Sequence, residues 1–243
     1  VPAPGRFLAC YINPSVYGEH DGSGIWDGNQ TNWWSGTNDV VWSDNNIALF
    51  GADTTTNCTV RLASDLAPVG ITFNPTGGGT YSIAGSGGIS CSNLLIVANA
   101  DAVIGAVFKG SGSLVKAGKG IVTLTSQSAS FTGVVLVNGG TFMAEYNNSA
   151  DGTLPDSSGV VVNNGGTLVS GNNGLFGWNA HSVPITLNCG GTLTTDTGAS
   201  VNIYGPLILA GGTRASGSPH VVYGSYNVAG NIVATNTPAW GDG

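Results

Sequence analysis

The phrase Gly-Gly-Thr, placed after an apolar segment, recurs four times in the second half of the chain. The copies are 139–141, 165–167 and 190–192, with a looser copy at 211–213, so they begin 26, 25 and 21 residues apart. A repeat of this length, built of β-forming residues and punctuated by glycine, is typical of a solenoid. The repeat therefore predicts an all-β chain whose parallel strands wind into a β-helix.

The composition agrees with many short strands joined by tight turns. Glycine accounts for 40 of the 243 residues, and only 8% of residues are charged, against about 25% in ordinary soluble domains. Glycine, asparagine and threonine are weak helix formers, and the first two tolerate the positive φ of turns. Apolar runs at 94–97 and 133–137 argue against simple disorder.

Three zones can be separated within what we expect to be a single module. Residues 1–52 lack the repeat and are rich in Trp, Asn and Asp, which suggests an N-terminal cap for the first turn. Residues 53–215 carry the coils, irregular at first and regular from 136 onward. Residues 216–243 form either a C-terminal coil or a second cap.

Part of the chain resembles a known repeat family. The stretch 110–124, continued through Gly139–Phe142, resembles the autotransporter-associated β-strand repeat, and the segments 26–28, 33–34 and 48–51 look like the region that often leads such repeats. This resemblance implies a right-handed parallel β-helix. In fold, size and composition the chain is also similar to the β-helical, xylan-binding type of carbohydrate-binding module.

The net charge limits the choice of partners. The chain carries a net charge of −7 with only six Lys and Arg residues, so it lacks the basic surface that nucleic acids and anionic membranes require. Acidic polysaccharides are disfavoured for the same reason, and a neutral partner fits best. We expect no nucleic-acid partner, no membrane association and a monomeric state.

Several residue types allow two interpretations. Trp26, Trp33, Trp34 and Trp42 could form an aromatic binding platform, but sealing the end of the coil is the stronger reading. The cysteines Cys10, Cys58, Cys91 and Cys189 could form disulfides in an exported protein or remain buried thiols. Lys109, Lys116 and Lys119 are expected to keep a strand edge soluble.

Two long inserts follow the Gly-Gly-Thr turns, at 145–158 and 170–183. Inserts of successive repeats emerge on one edge of a solenoid, so they should lie side by side and form the wall of a groove. Aromatic rings stack on the apolar face of a sugar, while flanking amides and carboxylates bind its hydroxyl groups. The candidate ligand-binding residues are Trp178, Tyr146, Phe176, Glu145, Asn172, Asn179 and Asp196.

Catalysis and metal binding are less favoured by the same pattern. Glu145 and Asp196 share one offset from their turns, which would place them ~10 Å apart if their repeats are two turns apart, near the upper limit for an inverting glycosidase. The three histidines are too scattered for a metal site, and we expect no cofactor.

The sequence thus predicts a secreted, non-catalytic module that binds neutral plant cell-wall polysaccharide, xylan being the first choice by family likeness. It would hold a covalently linked glycoside hydrolase domain near its substrate. The alternatives are a polysaccharide-degrading glycosidase or lyase, and a structural or adhesive passenger fragment.

Overall fold

The structure is a computed structural model that describes residues 7–10, 22–51, 57–146, 152–171, 181–195, 200–210, 221–223, 225–228 and 232–235. Every regular element in these ranges is a β-strand. The all-β class predicted from the glycine-rich composition is therefore confirmed.

The strands are short, between two and five residues each. The first five are β1 (Phe7–Cys10), β2 (Gly24–Trp26), β3 (Trp33–Trp34), β4 (Asp39–Val40) and β5 (Ile47–Phe50). The next nine are β6 (Cys58–Leu62), β7 (Gly70–Phe73), β8 (Tyr81–Gly85), β9 (Gly88–Ser90), β10 (Leu94–Ala98), β11 (Ala102–Ile104), β12 (Val107–Lys109), β13 (Leu114–Ala117) and β14 (Ile121–Leu124). The remaining strands are β15 (Val134–Val137), β16 (Gly140–Ala144), β17 (Gly159–Val162), β18 (Gly166–Ser170), β19 (Ile185–Asn188), β20 (Thr192–Thr195), β21 (Ser200–Ile203), β22 (Leu207–Ala210), β23 (Val221–Tyr223), β24 (Ser225–Val228) and β25 (Ile232–Thr235).

Two long sheets run along the molecule, and in every turn the chain passes from one sheet to the other. The large sheet has twelve strands in the order β25-β22-β19-β17-β15-β13-β10-β7-β5-β1-β3-β4, and the small sheet has nine in the order β2-β6-β8-β11-β14-β16-β18-β20-β23. Between Gly70 and Thr195 the chain makes six consecutive turns, each with one strand in the large sheet and the next in the small sheet. All these strands pair in parallel with their neighbours, so the protein is a β-solenoid.

The core lies between the two sheets and is built from stacked rows of side chains. Because side chains alternate across a strand, every second residue points inward. One inward row of the large sheet follows the pairings from Ile71 to Leu187, and every member except one lysine is apolar: Ile71, Ile96, Lys116, Val137, Val162 and Leu187. In the small sheet Phe142, Leu168 and Leu193 stack in the same way and are fully buried.

A third side closes the coil between the small sheet and the next strand of the large sheet. Strands β9 and β12 pair there, and isolated bridges join Leu66 to Ile89 and Gly110 to Phe131. The apolar side chains on this side, Leu66, Ile89, Phe108, Phe131 and Leu154, are all buried. The cross-section is thus three-sided, with two regular faces and one that varies in length.

The Gly-Gly-Thr repeat marks the corner where the chain passes into the small sheet. Thr141, Thr167 and Thr192 pair in register on neighbouring strands, as the first three copies of the repeat predict. The looser fourth copy does not continue this row, because Val221 rather than Thr213 pairs with Thr192. The similar sequence at 211–213 therefore does not take the position that pairs with Thr192.

A row of asparagines follows the large sheet at the same corner. The Asn163 side-chain amide donates to Asn138 Oδ1 at 2.6 Å, and Asn188 donates to Asn163 Oδ1 at 2.6 Å. An alignment of the repeats on their Gly-Gly pairs instead places Asn138 at the same position as Asn164 and Cys189. The strand register excludes that alignment, since the two later corners contain one residue more than the first.

The N-terminal region is less regular than the repeated turns. Strand β1 pairs in parallel with β5 on one side and antiparallel with β3 on the other, and β3 continues into β4. The zone boundaries at 52 and 215 stay a prediction, and strands of the two main sheets occur in all three zones.

Candidate functional site

The two long inserts leave the small sheet from neighbouring strands. Ala144 at the end of β16 pairs with Ser170 at the end of β18, and Ser170 pairs with Thr195 at the end of β20. The Gly171 N–H donates to the Ala144 carbonyl at 2.9 Å, so the pairing continues one residue past the strands. The points at which the inserts begin therefore lie side by side, as the repeat predicts.

Two of the seven candidate ligand-binding residues lie in the described part of the chain, at the root of the first insert. Glu145 and Tyr146 are both half-buried. The Glu145 N–H donates to the Leu124 carbonyl at 2.8 Å, and the Tyr146 N–H donates to Thr153 Oγ1 at 3.2 Å. These backbone contacts fix both residues to the body of the solenoid and leave part of each side chain facing solvent.

The other five candidates, Asn172, Phe176, Trp178, Asn179 and Asp196, lie outside the described residues. The structure therefore brings Glu145 and Tyr146 together but gives no geometry for the proposed aromatic wall. The carboxylate pair of the enzyme alternative is likewise described only at Glu145.

The returning half of the first insert packs into the body of the protein rather than forming a groove wall. Thr153 and Leu154 are fully buried, and Ser157 is 5% exposed. The Thr153 carbonyl accepts the Ser128 N–H at 2.8 Å, which ties the segment to the preceding turn. Residues 152–155 and 157 therefore cannot line a groove, because they are buried on the third side, whereas Asp156 and Ser158 are exposed.

One side-chain contact joins the two inserts directly. His181 Nδ1 lies 3.7 Å from Asp156 Oδ1, and both side chains are partly exposed. Asp156 follows the buried segment of the first insert, and His181 lies in the returning part of the second. Sequence reasoning missed this pair because its members are 25 residues apart, and only the stacking of turns makes them neighbours.

The N-terminal tryptophans do not form an exposed platform. Trp26, Trp33 and Trp42 are at most 3% exposed, and their ring centroids lie 4.8–5.1 Å apart. Phe50 extends the cluster, at 5.6 Å from Trp26 and 5.4 Å from Phe73. Rings packed on one another in this way cannot stack on a ligand, whereas Trp34 is half-buried.

Lys116 occupies a core position, contrary to the expectation that it solubilises a strand edge. Its side chain is fully buried, and Nζ donates to the carbonyls of Gly118, Gly120 and Gly139 at 2.8, 2.6 and 2.8 Å. Gly140 has φ of +59°, and an added Cβ there would collide with Lys116 Nζ and the Gly118 carbonyl. Burial lowers the pKa of Lys116 to about 8, against a smaller raising effect of Asp101.

The other groups with shifted acidities are structural. Lys109 Nζ lies 2.8 Å from Asp65 Oδ1, and this contact and the Gly88 N–H lower the pKa of Asp65. Burial raises the pKa of Cys91 to about 12, which keeps its thiol protonated. Cys58, Cys91 and Cys189 form no disulfide with one another, and the side chain of Cys10 is not among those described.

Neither a metal-binding group nor a membrane-spanning helix occurs among the described residues. No three His, Cys, Asp or Glu side chains there form a group that could hold a metal ion. None of these residues belongs to a helix long and apolar enough to cross a membrane.

The comparisons with known proteins give no match: no family model, no curated protein and no solved structure aligns significantly with the chain. The β-solenoid therefore rests on its own strand register, and the likeness to autotransporter-associated repeats and to xylan-binding modules receives no support from a relative.

Proposed function

We propose that this chain is a secreted, non-catalytic module that binds a neutral plant cell-wall polysaccharide, with xylan as the first ligand to test. It would hold a linked glycoside hydrolase domain close to its substrate, and its coil would be right-handed, as the family resemblance implies. The inserts at 145–158 and 170–183 would carry the site, apart from the buried residues 152–155 and 157.

The observation that carries the proposal is the pairing of Ala144 with Ser170. This pairing places the first residues of the two long inserts about 4.8 Å apart, at the end of two hydrogen-bonded strands. A linear polymer needs such an edge, because preformed contacts reduce the entropy lost on binding. Tyr146 and Glu145 at the first root supply one ring and one hydrogen-bond acceptor.

The low density of cations favours a neutral ligand over an acidic one. Six Lys and Arg residues are present in the whole chain, and among the described ones Lys116 is buried and Lys109 is paired with Asp65. Few cations therefore remain to neutralise a polyuronate, whereas the hydroxyl groups of a neutral glycan can be bound by amides and by a carboxylate such as that of Glu145.

The test is affinity electrophoresis in gels containing xylan, β-glucan, mannan or pectin. We expect retardation by one neutral glycan, and weakening of at least about tenfold (~1.4 kcal/mol) in Trp178→Ala and Tyr146→Ala. Trp34→Ala is the matched control, since it removes a half-buried aromatic side chain far along the chain from the inserts.

Three outcomes would count against the proposal. Unchanged mobility in every glycan would remove the binding function. Loss of binding in Trp34→Ala alone would move the site to the N-terminal region. Release of reducing ends by the wild type, lost in Glu145→Gln, would favour the glycosidase alternative.

A further inference from the structure

The outward face of the large sheet carries a row of residues that is apolar except at Thr186. The pairings place one outward residue of each strand in line: Gly70, Leu95, Val115, Leu136, Val161, Thr186, Ile208 and Val233. Leu95 is 42% exposed and Val233 is 40% exposed, while the four aliphatic residues between them are half-buried by their neighbours in the row. We call this row, with the outward residues beside it, the apolar strip.

The residues beside this row keep the strip free of charge. The adjacent outward positions are Thr72, Val97 and Ala117 in the earlier turns, followed by the bonded asparagines Asn138, Asn163 and Asn188. On the other side Val134 is half-buried and faces outward. None of the outward residues described on the strands from Ile47 to Ala210 of this sheet is ionisable.

The small sheet shows that this is not a general property of the coil. Its outward face carries the row Thr141, Thr167 and Thr192, with Arg61 and Asp101 exposed on earlier turns. Exposed aliphatic residues occur there too, Val103 and Ile121, but they stand beside hydroxyl or charged side chains. An apolar face that extends over every turn of only one sheet indicates a contact surface.

The size of the strip sets the strength of contact it can support. The eight strands of the row, together with β5, whose Ile47 pairs with Gly70, cover roughly 38 by 13 Å, on the order of 500 Å² per molecule. Two such faces bury about 1,000 Å² in total, the lower bound for a specific interface between proteins. A weak association that depends on concentration is the expected result.

The chemistry of the strip selects its partner. A polysaccharide would find no aromatic ring along the row and a single hydroxyl group, that of Thr186. A charged protein partner would have to desolvate its charges without gaining an ion pair. A second copy of the same strip is flat, apolar and charge-free, and a two-fold axis pairs the strip with itself.

We propose that two copies of this chain associate through their apolar strips into a two-fold dimer. The points at which the inserts begin lie at the ends of small-sheet strands, outside the proposed contact. This inference is independent of the proposed carbohydrate function and departs from the monomer expected from the sequence. The sequence did not predict the strip, because the sequence of one strand shows neither which residues of the next strands lie beside it nor which of its side chains face outward.

Analytical ultracentrifugation of the wild type from about 1 to 200 µM is the test, a range that brackets weak association. We expect the mass to rise from 24.3 kDa toward twice that value, and more readily as salt increases, because salt screens the repulsion between two chains of net charge −7. Leu136→Lys and, as a second variant, Val161→Lys should stay at the mass of one chain. Thr141→Lys on the small sheet is the matched control and should dimerise like the wild type.

Circular dichroism and thermal unfolding of each variant establish that it is folded before its mass is interpreted. A wild type that stays monomeric throughout the range would overturn the proposal, whether the strip is bare or covered by another segment of the chain. Dimers that survive both lysine substitutions on the strip, or that are lost in Thr141→Lys, would place the interface elsewhere. Loss of glycan retardation in Leu136→Lys, with the insert variants still binding, would assign the strip to the polysaccharide instead.

Discussion

The N-terminal region and the repeated turns fill the same core in different ways. In the first, Trp26 packs edge to face on Trp42 and Phe50, and the Trp33 ring packs at a tilt against the other two tryptophans. In the second, aliphatic side chains stack on their equivalents one strand above and one below. Where a turn has like neighbours on both sides, medium-sized residues suffice; where the repetition stops, a few large rings occupy the space.

Removal of a core tryptophan should have the largest effect on stability. Trp26→Ala is expected to lower the free energy of unfolding by about 3–5 kcal/mol, because the cavity would adjoin three other aromatic rings. Denaturant unfolding followed by circular dichroism measures this, and Trp34→Ala should cost less than about 1 kcal/mol. Equal losses in the two variants would mean that the cluster is not a packed core.

The corresponding change in the repeated turns should cost less. Leu168→Ala removes a fully buried side chain stacked between Phe142 and Leu193, and we expect a loss of about 2–4 kcal/mol. Val169→Ala, the outward neighbour on the same strand, should lose less than about 1 kcal/mol. In Leu168→Ala, amide hydrogen exchange should become faster in strands β16, β18 and β20. Faster exchange confined to the N-terminal region would contradict the stacking of Leu168 on its neighbours in the row.

Lys116 is the polar exception within the aliphatic rows. Lys116→Met keeps the side-chain length but leaves the carbonyls of Gly118, Gly120 and Gly139 without their donor, so we expect a loss of about 2 kcal/mol near neutral pH. Chemical denaturation measures the difference. A variant as stable as the wild type would show that removing the desolvation cost offsets the three lost bonds.

The same lysine predicts a pH dependence with a definite sign. Its pKa is lowered to about 8 in the folded state by burial, and is about 10.4 when unfolded. Between these values the unfolded chain binds the additional proton, so the stability of the wild type relative to Lys116→Met should rise as pH increases from about 8 to 10.4. Parallel stability profiles for the two proteins across this range would contradict the assigned shift.

The smallest expected effect concerns the asparagine row. Asn163→Ala breaks the bonds to both Asn138 and Asn188, whereas Asn188→Ala breaks one of them. At about 0.5 kcal/mol per bond, the low end of the range for bonds near the surface, the first variant should lose roughly twice as much stability as the second. Thermal unfolding of the pair provides the comparison, and equal losses would indicate that the bonds do not act independently.

The sequence predicted the architecture because repetition fixes register. Three Gly-Gly-Thr copies fall on equivalent positions of the small sheet, and the inserts begin on neighbouring strands, as expected. The alignment of the repeats was wrong where similar sequences occupy different positions in the strand register. Asn164 and Cys189 occupy an additional corner position that alignment on glycine concealed, and Val221 takes the place assigned to Thr213.

Side-chain burial was harder to predict than strand position. A lysine between Val115 and Ala117 looks like a surface residue until its alternation with Leu114 places it inside. Likewise, the second half of the first insert resembled a polar loop, yet Thr153 and Leu154 fill the third side of the coil. Such positions depend on the neighbouring turns, which a linear pattern does not specify.

The three carbonyls around Lys116 belong to the corners of two successive turns, and this has a consequence for how the protein can change its length. An insertion at either corner would move one set of acceptors away from a fixed ammonium group. The opposite connections, from the small sheet back to the large one, already vary between seven and fourteen residues. Insertions should therefore be tolerated in the loops on that opposite side. At the Lys116 corner they should not be, because its contacts keep the spacing between successive turns constant.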